Sequence, residues 1–208
     1  MKSALMRTGI AIALVSLTFG FAAAASSPAS LGLSADQQRR LVAGEVVVLD
    51  TLPPGASTSA GGGTAVALIR AAPDRVWSVL IDYPGHPRYY PRVTSAEVVE
   101  ADAQHALVRY EVGVGPFSFG FYMLKYPDPT RGRIEWHLDP NRPNNLFREN
   151  TGYWQVDAAE GGSQVTYAIA VRTIVPGFFT RGAERDSLVD TIKKLRKLLG
   201  DDKGAATR

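Results

Sequence analysis

Between Val93 and Val175 the chain offers six stretches of strand-forming sequence and no room between them for a helix. The stretches are Val93–Glu100, Ala106–Val114, Phe117–Lys125, Arg133–Leu138, Leu146–Asp157 and Gln164–Val175. The breaks are turn chemistry: Ala101 to Gln104, Gly115-Pro116, Pro127 to Gly132, Asp139 to Asn145, and Glu160 to Ser163. Regular turns of this kind argue for an antiparallel meander. A long helix follows Pro176-Gly177 and runs to about Leu199. Its residues Leu188, Ile192, Leu195 and Leu199 form one apolar stripe, and Gly200 ends it. Lys193, Lys194, Arg196 and Lys197 occupy its other faces and suit the negative end of the helix dipole.

Upstream, Thr64–Arg70 reads as a strand and Pro73 opens a short helix over Asp74–Ile81, with Val76, Trp77 and Leu80 on one side. Three prolines between Asp82 and Pro91 allow at most one further helical turn. Earlier still, Ser34 and Gln37 form a capping box for a short helix stopped by Gly44, and Glu45–Asp50 is β-branched enough for a strand. Thr51–Gly63 reads as a flexible loop ending in three glycines. No Lys-Ser/Thr follows those glycines, which argues against a phosphate-binding loop.

Residues 1–25 read as a cleaved signal peptide. Lys2 and Arg7 precede an apolar run from Gly9 to Phe21, and Ala22 to Ser26 suits a signal peptidase. A retained N-terminal anchor is the rival reading. The expected organisation is a signal peptide over 1–25, an N-terminal extension over 26–63, a core domain over 64–199 and a disordered tail over 200–208. The expected location is periplasmic or secreted. There is no cysteine, so neither a disulfide nor a lipidated cysteine is available. The chain has 23 basic and 20 acidic residues, and the leader holds two of the basic ones. The remainder is close to neutral, so a nucleic-acid partner is not expected.

Period-two alternation sorts the strand residues into two faces. With Arg109 and Glu111 toward water, Val108, Tyr110 and Val112 turn inward. Phe117, Phe119, Phe121 and Met123 share a face, opposite Ser118 and Gly120. Ile134, Trp136 and Leu138 oppose Arg133, Glu135 and His137, while Val165, Tyr167 and Ile169 point in. Tyr153 and Trp154 fall on opposite faces, with neither assigned.

The blocks Ala72 to Tyr83 and Pro87 to Val93, with Gly152 to Val156, Gln164 to Tyr167 and the closing helix, resemble the START-like, or SRPBCC, helix-grip superfamily. The nearest likeness is to bacterial polyketide cyclase/dehydrase and coenzyme Q-binding-type proteins. The resemblance implies an α+β helix-grip fold: a curved antiparallel β-sheet wrapped around a long C-terminal helix, with two short helices after the first core strand. It places the strand at 45–50 as an added edge paired with 64–70. It also implies a hydrophobic cavity between sheet and helix. Combined with the alternation, the cavity candidates are Trp77, Tyr90, Val108, Tyr110, Val112, Phe119, Phe121, Met123, Trp136, Tyr167, Ile169, Leu188, Ile192 and Leu195. Phe117, Phe178 and Phe179 are candidates for a gate beside the glycines at 115 and 177.

Chemistry is harder to find. His86 lies in a Pro/Gly stretch, His105 at a turn and His137 on a strand, and no pair has zinc-site spacing. Gly-x-Ser-x-Gly is absent. Asp82 reads as a loop-bonding residue, and Arg109 with Glu111 and Arg133 with Glu135 as solvent-side strand pairs. No catalytic residue, metal or cofactor is assigned. The leading expectation is an exported monomeric binder or carrier of a hydrophobic small molecule or lipid, such as a sterol-like, hopanoid or quinone molecule, with transient membrane contact. The alternatives are a cyclase, dehydrase or hydrolase using Tyr110, Tyr122 or Tyr167, and an envelope protein with a closed pocket that binds a partner.

Overall fold

The computed structural model describes residues 32–174 and 183–201. Helix α1 spans Ala35–Val42, and β1 (Val47–Leu49) and β2 (Gly61–Ile69) follow. Helix α2 covers Pro73–Ile81 and leads into a turn of 3-10 helix over Tyr83–Arg88. Six strands then run consecutively: β3 (Val93–Ala101), β4 (Ala106–Val114), β5 (Phe117–Asp128), β6 (Arg133–Leu138), β7 (Phe147–Ala159) and β8 (Gly162–Thr173). Helix α3, Ala183–Leu199, comes last. All eight strands form one sheet in the order β1-β2-β8-β7-β6-β5-β4-β3, with every neighbouring pair antiparallel. Residues 1–31, which include the expected signal peptide, lie outside the described residues, as do 175–182 and 202–208. Among the described residues no helix is long and apolar enough to cross a membrane.

Local chemistry explains the ends. Ser34 Oγ accepts the Gln37 amide at 3.2 Å while Gln37 Oε1 accepts the Ser34 amide at 2.8 Å, the reciprocal cap that starts α1. Pro73 starts α2 where no N–H is needed. The Asp82 carboxylate at the end of α2 accepts from Arg88 and ties the 3-10 turn together. Strand β1 pairs Val47 with Val66 and Leu49 with Thr64, as the added edge expected of residues 45–50.

Two sequence expectations need correction. The glycines at 61–63 are the start of β2, not a flexible loop. Gly62 has φ +143°, and a Cβ there would collide with the Ile169 carbonyl oxygen of β8, while one on Gly63 would come 2.8 Å from the Leu49 carbonyl oxygen. Glycine sits there because strands approach closely, a role the loop-like composition disguises. The tail beyond Gly200 is also not free at its first residue. Asp201 is buried and accepts the Arg70 amide at 2.9 Å. Arg196 reinforces this end of α3 by donating to the Leu68 and Gly44 carbonyl oxygens, each at 2.8 Å. Its guanidinium is therefore an anchor between helix and sheet rather than a solvated charge.

The inward stripe of α3, Leu188, Ile192, Leu195 and Leu199, joins Ile69, Val76, Leu80, Ile134, Trp154 and Val165 in the main core. A smaller cluster of Leu41, Val47 and Val66 sits under α1 on the opposite face of the sheet. Gly62→Ala should destabilise the protein by roughly 2–4 kcal/mol, because the added Cβ meets both a positive φ and a neighbouring backbone. Urea unfolding of the variant beside Gly120→Ala, where an added Cβ comes no closer than 3.7 Å to a neighbour, is the check.

Candidate functional site

The strands present aromatic and apolar side chains to the α3 side of the sheet, and between them lies a cavity of about 290 Å³. Tyr110 and Val112 from β4, Phe121 and Met123 from β5, Trp136 from β6, Phe147 from β7, and Tyr167 and Ile169 from β8 form its walls. Tyr90 closes it from the segment after the 3-10 turn, and Ser187 and Thr191 face it from α3. Three further lining residues, Arg92, Asp186 and Asp190, are exposed and mark its rim.

Tyr90, Tyr110, Val112, Phe121, Met123, Trp136, Tyr167 and Ile169 are thus cavity-lining candidates that the structure brings together. The others lie elsewhere. Leu188, Ile192 and Leu195 are fully packed core, and the adjacent polar side of the same helix turns to the cavity. Val108 is completely enclosed, since its short side chain is covered where those of Tyr110 and Met123 reach the opening. Phe119 packs half-buried against the core, and Trp77 sits on the flank of α2 beside the inward Val76 and Leu80. Of the gate candidates, Phe117 is 65% exposed at the β4–β5 turn and does not line the cavity. Phe178 and Phe179 fall outside the described residues. Tyr122 lies on the outer face under the Arg142 guanidinium, 5.5 Å from its ring centre, so it cannot serve an inward reaction. Trp154 is the inward member of the Tyr153–Trp154 pair, and Tyr153 carries the Arg133 guanidinium 3.7 Å above its ring.

One wall is held by polar contacts that alternation alone does not reveal. His86, only 2% exposed, is ringed by Tyr83, Tyr89, Tyr90 and Tyr110 at centroid distances of 5.1–5.8 Å. Its Nε2–H donates to the Leu80 carbonyl oxygen at 3.0 Å, which leaves Nδ1 to accept the Tyr110 hydroxyl at 2.7 Å. Burial, with the positive charge of Lys125 behind it, pushes the imidazole down to about 3, so it is neutral at ordinary pH. Burial likewise raises the phenols of Tyr90, Tyr110 and Tyr167 above their usual range. Tyr90 accepts the Trp154 indole N–H at 2.7 Å, and Trp154 stacks on Tyr167 at 4.2 Å. No sequence signal in the Pro/Gly stretch marks His86 as the centre of this cluster.

Lys125 is the second residue missed, and here a signal was present. It continues the Phe121, Met123 alternation by one step, so a cationic side chain faces the cavity. The residue is 4% exposed, with Nζ 4.3 Å from the Trp136 ring centre and 5.4 Å from that of Tyr110. Burial pushes its amine down to about 7. Asn150 completes this corner by accepting the Trp136 indole N–H at 3.3 Å. The remaining histidines are on the outside, His105 against Asp102 and His137 against Tyr126. Among the described residues no three His, Cys, Asp or Glu side chains group around a point where a metal could sit.

A curved antiparallel sheet that grips a C-terminal helix over an internal cavity defines the helix-grip α+β class. Residues 63–199 match the family described as polyketide cyclase/dehydrase and lipid transport, and the chain belongs to that family. No curated protein matches. Among solved structures it is similar to TTHA0849 from Thermus thermophilus, at 18% identity and a TM-score of 0.57, over 67% of this chain and 97% of that one. A STAR-related lipid transfer protein from Xanthomonas axonopodis gives 17% identity and a TM-score of 0.55, over 74% and 98%. A START superfamily protein from Mycobacterium smegmatis gives 13% and 0.54, over 66% and 95%. These likenesses establish the fold.

The buried amine has a consequence for stability. Its folded-state value near 7 lies below the ordinary lysine value of 10.5, so folding favours the neutral form. The destabilising contribution is absent above pH 10.5, grows as pH falls and is complete below pH 7. Lys125→Met should therefore gain stability over the native protein progressively from about pH 10 to about pH 7. The gain is limited to about 1.4 kcal/mol per pH unit. Urea melts of both proteins across that range measure the difference.

Proposed function

We propose that this protein is an exported carrier that holds one hydrophobic small molecule between its sheet and α3. The observation that carries the reading is the open cavity of about 290 Å³ walled by Tyr110, Phe121, Met123, Trp136, Tyr167 and Ile169. Aromatic and thioether walls suit the apolar body of a ligand, and the volume sits near the ~300 Å³ lower limit of ordinary ligand pockets. A compact or single-chain ligand fits that space, whereas a whole two-chain phospholipid does not. The family description includes lipid transport, and the Xanthomonas axonopodis neighbour is named a lipid transfer protein. The leader-like residues 1–25 support export. An open cavity of this size argues against a collapsed core whose surface alone is functional.

A second reading, cyclase or dehydrase chemistry, draws on the polar groups that reach the cavity. The Tyr110 hydroxyl is a poor proton donor or acceptor for a substrate, because its proton is committed to His86 and its acidity is suppressed by burial. His86 is equally committed to Leu80. Binding without conversion therefore fits these two groups better.

Native mass spectrometry of mature protein, purified from its own envelope without detergent, should show one bound small molecule of recurring mass. Ile169→Trp, which fills the cavity from β8, should give the apo mass. A ligand recovered chemically altered after incubation would favour the enzyme reading, and an apo mass for the native protein throughout would oppose the carrier. Phe117, exposed at the β4–β5 turn, is the gate candidate that lies among the described residues. Phe117→Asp should slow ligand transfer between vesicles several-fold while leaving affinity within about twofold, as measured by a fluorescence transfer assay.

A further inference from the structure

We propose that Lys125 is a head-group site, and that the cavity takes a single-chain or compact amphiphile whose carboxylate lies inward against this lysine and Asn150. The inference deepens the carrier reading and rests on it. Lys125 is a cation on an otherwise apolar wall, only 4% exposed, with no hydrogen bond or ion pair among the described residues. Burying an ammonium without a counter-charge is costly, and a core of this kind accommodates a methionine in the same space far more easily. The lining carboxylates, Asp186 and Asp190, are exposed on α3 and form no ion pair with it. The depression of its amine has burial as its cause, with no carboxylate acting on it. Among the described residues, then, the cavity holds a lysine with no carboxylate paired to it.

Position gives the orientation. The rim carries Arg92 next to Val93, and Val93 pairs with Val112, which pairs with Phe119. Lys125 is six residues further along β5, about 20 Å at the rise of an extended strand. Spread over such a length, 290 Å³ holds one chain and not two. At the rim an acidic head would meet Asp186 and Asp190 as well as Arg92, all solvent-exposed, whereas Lys125 inside offers a desolvated amine with no carboxylate beside it, so the anion is better placed inside. Around Lys125 the Trp136 ring supplies a flat apolar side, and the Asn150 carbonyl is taken by the Trp136 N–H. The Asn150 amide N–H remains as a second donor, so two donors meet the two oxygens of a carboxylate. A phosphate carries more charge and more oxygens than one lysine and one amide N–H can meet, so a carboxylate suits this corner better.

The test is isothermal titration calorimetry of the mature protein with dodecanoic acid and with methyl dodecanoate, below their aggregation limits, at about pH 8.5 in two buffers of different ionisation enthalpy. The acid should bind at least about tenfold more tightly than the ester. Binding should also draw in close to one proton, since an amine near 7 is mostly neutral at that pH and becomes ammonium beside a carboxylate. The groups facing Lys125 do not imitate this. Tyr110 is raised by burial, Trp136 and Asn150 do not titrate, and His86 behind Tyr110 is lowered to about 3. Lys125→Met should bring the acid down to the affinity of the ester and abolish proton uptake. Equal binding of acid and ester by the native protein, without proton uptake, overturns the head-group site while the carrier reading stands. Binding of neither probe counts against both.

Discussion

A single helix is too narrow to fill the concave side of an eight-stranded sheet, and the remaining architecture follows from that mismatch. Seven inter-strand spacings amount to roughly 34 Å, against about 10–12 Å for a helix with its side chains. Sheet twist closes part of the difference by curling the strands toward α3. The rest is met by the segment from α2 to Tyr90 and by large rings from β4 to β8. These do not pack to completion, and the cavity is what they leave. Its walls are aromatic because such side chains reach far enough to narrow the gap, and its opening lies beside the exposed start of α3.

The same geometry explains why the polar groups at the cavity are mostly quiet. The 82–90 segment must lie flat over the sheet, and the His86 hydrogen bonds to Leu80 and Tyr110 fasten it at both ends. A neutral histidine with a fixed tautomer, surrounded by tyrosines, is a structural clasp. Lys125 differs because, among the described residues, only the Trp136 and Tyr110 rings stand against its amine and no carboxylate pairs with it. Arg109 pairs with Glu111, Arg133 with Glu135 and Arg185 with Asp50 near the surface, whereas this interior lysine has no ion pair among the described residues.

Much of the fold was legible in the sequence, because local rules govern it. Turn residues separated the six meander strands, Ser34 and Gln37 marked one helix start, and Pro73 marked another. Alternation put Tyr110, Phe121, Met123, Trp136 and Tyr167 on the inner face, and carried one step further it would have included Lys125. Some features escaped because their cause is distant in sequence. The glycines at 61–63 resemble a loop until Ile169 and Leu49 are seen pressing on them. His86 has nothing distinctive nearby, and its partner Tyr110 is 24 residues away.

The sequence by itself determined which segments are strands and helices, which face of each is apolar, and that a curved sheet must be covered by the last helix. These depend on periodicity and turn chemistry within a few residues. Only the tertiary structure decided where packing ends and empty space begins. Leu188, Ile192 and Leu195 are as apolar as any cavity wall, yet they fill the core, while Ser187 and Thr191 beside them face the opening. Burial against a neighbour and exposure to a void use the same residue types, and they differ only in what lies across the gap.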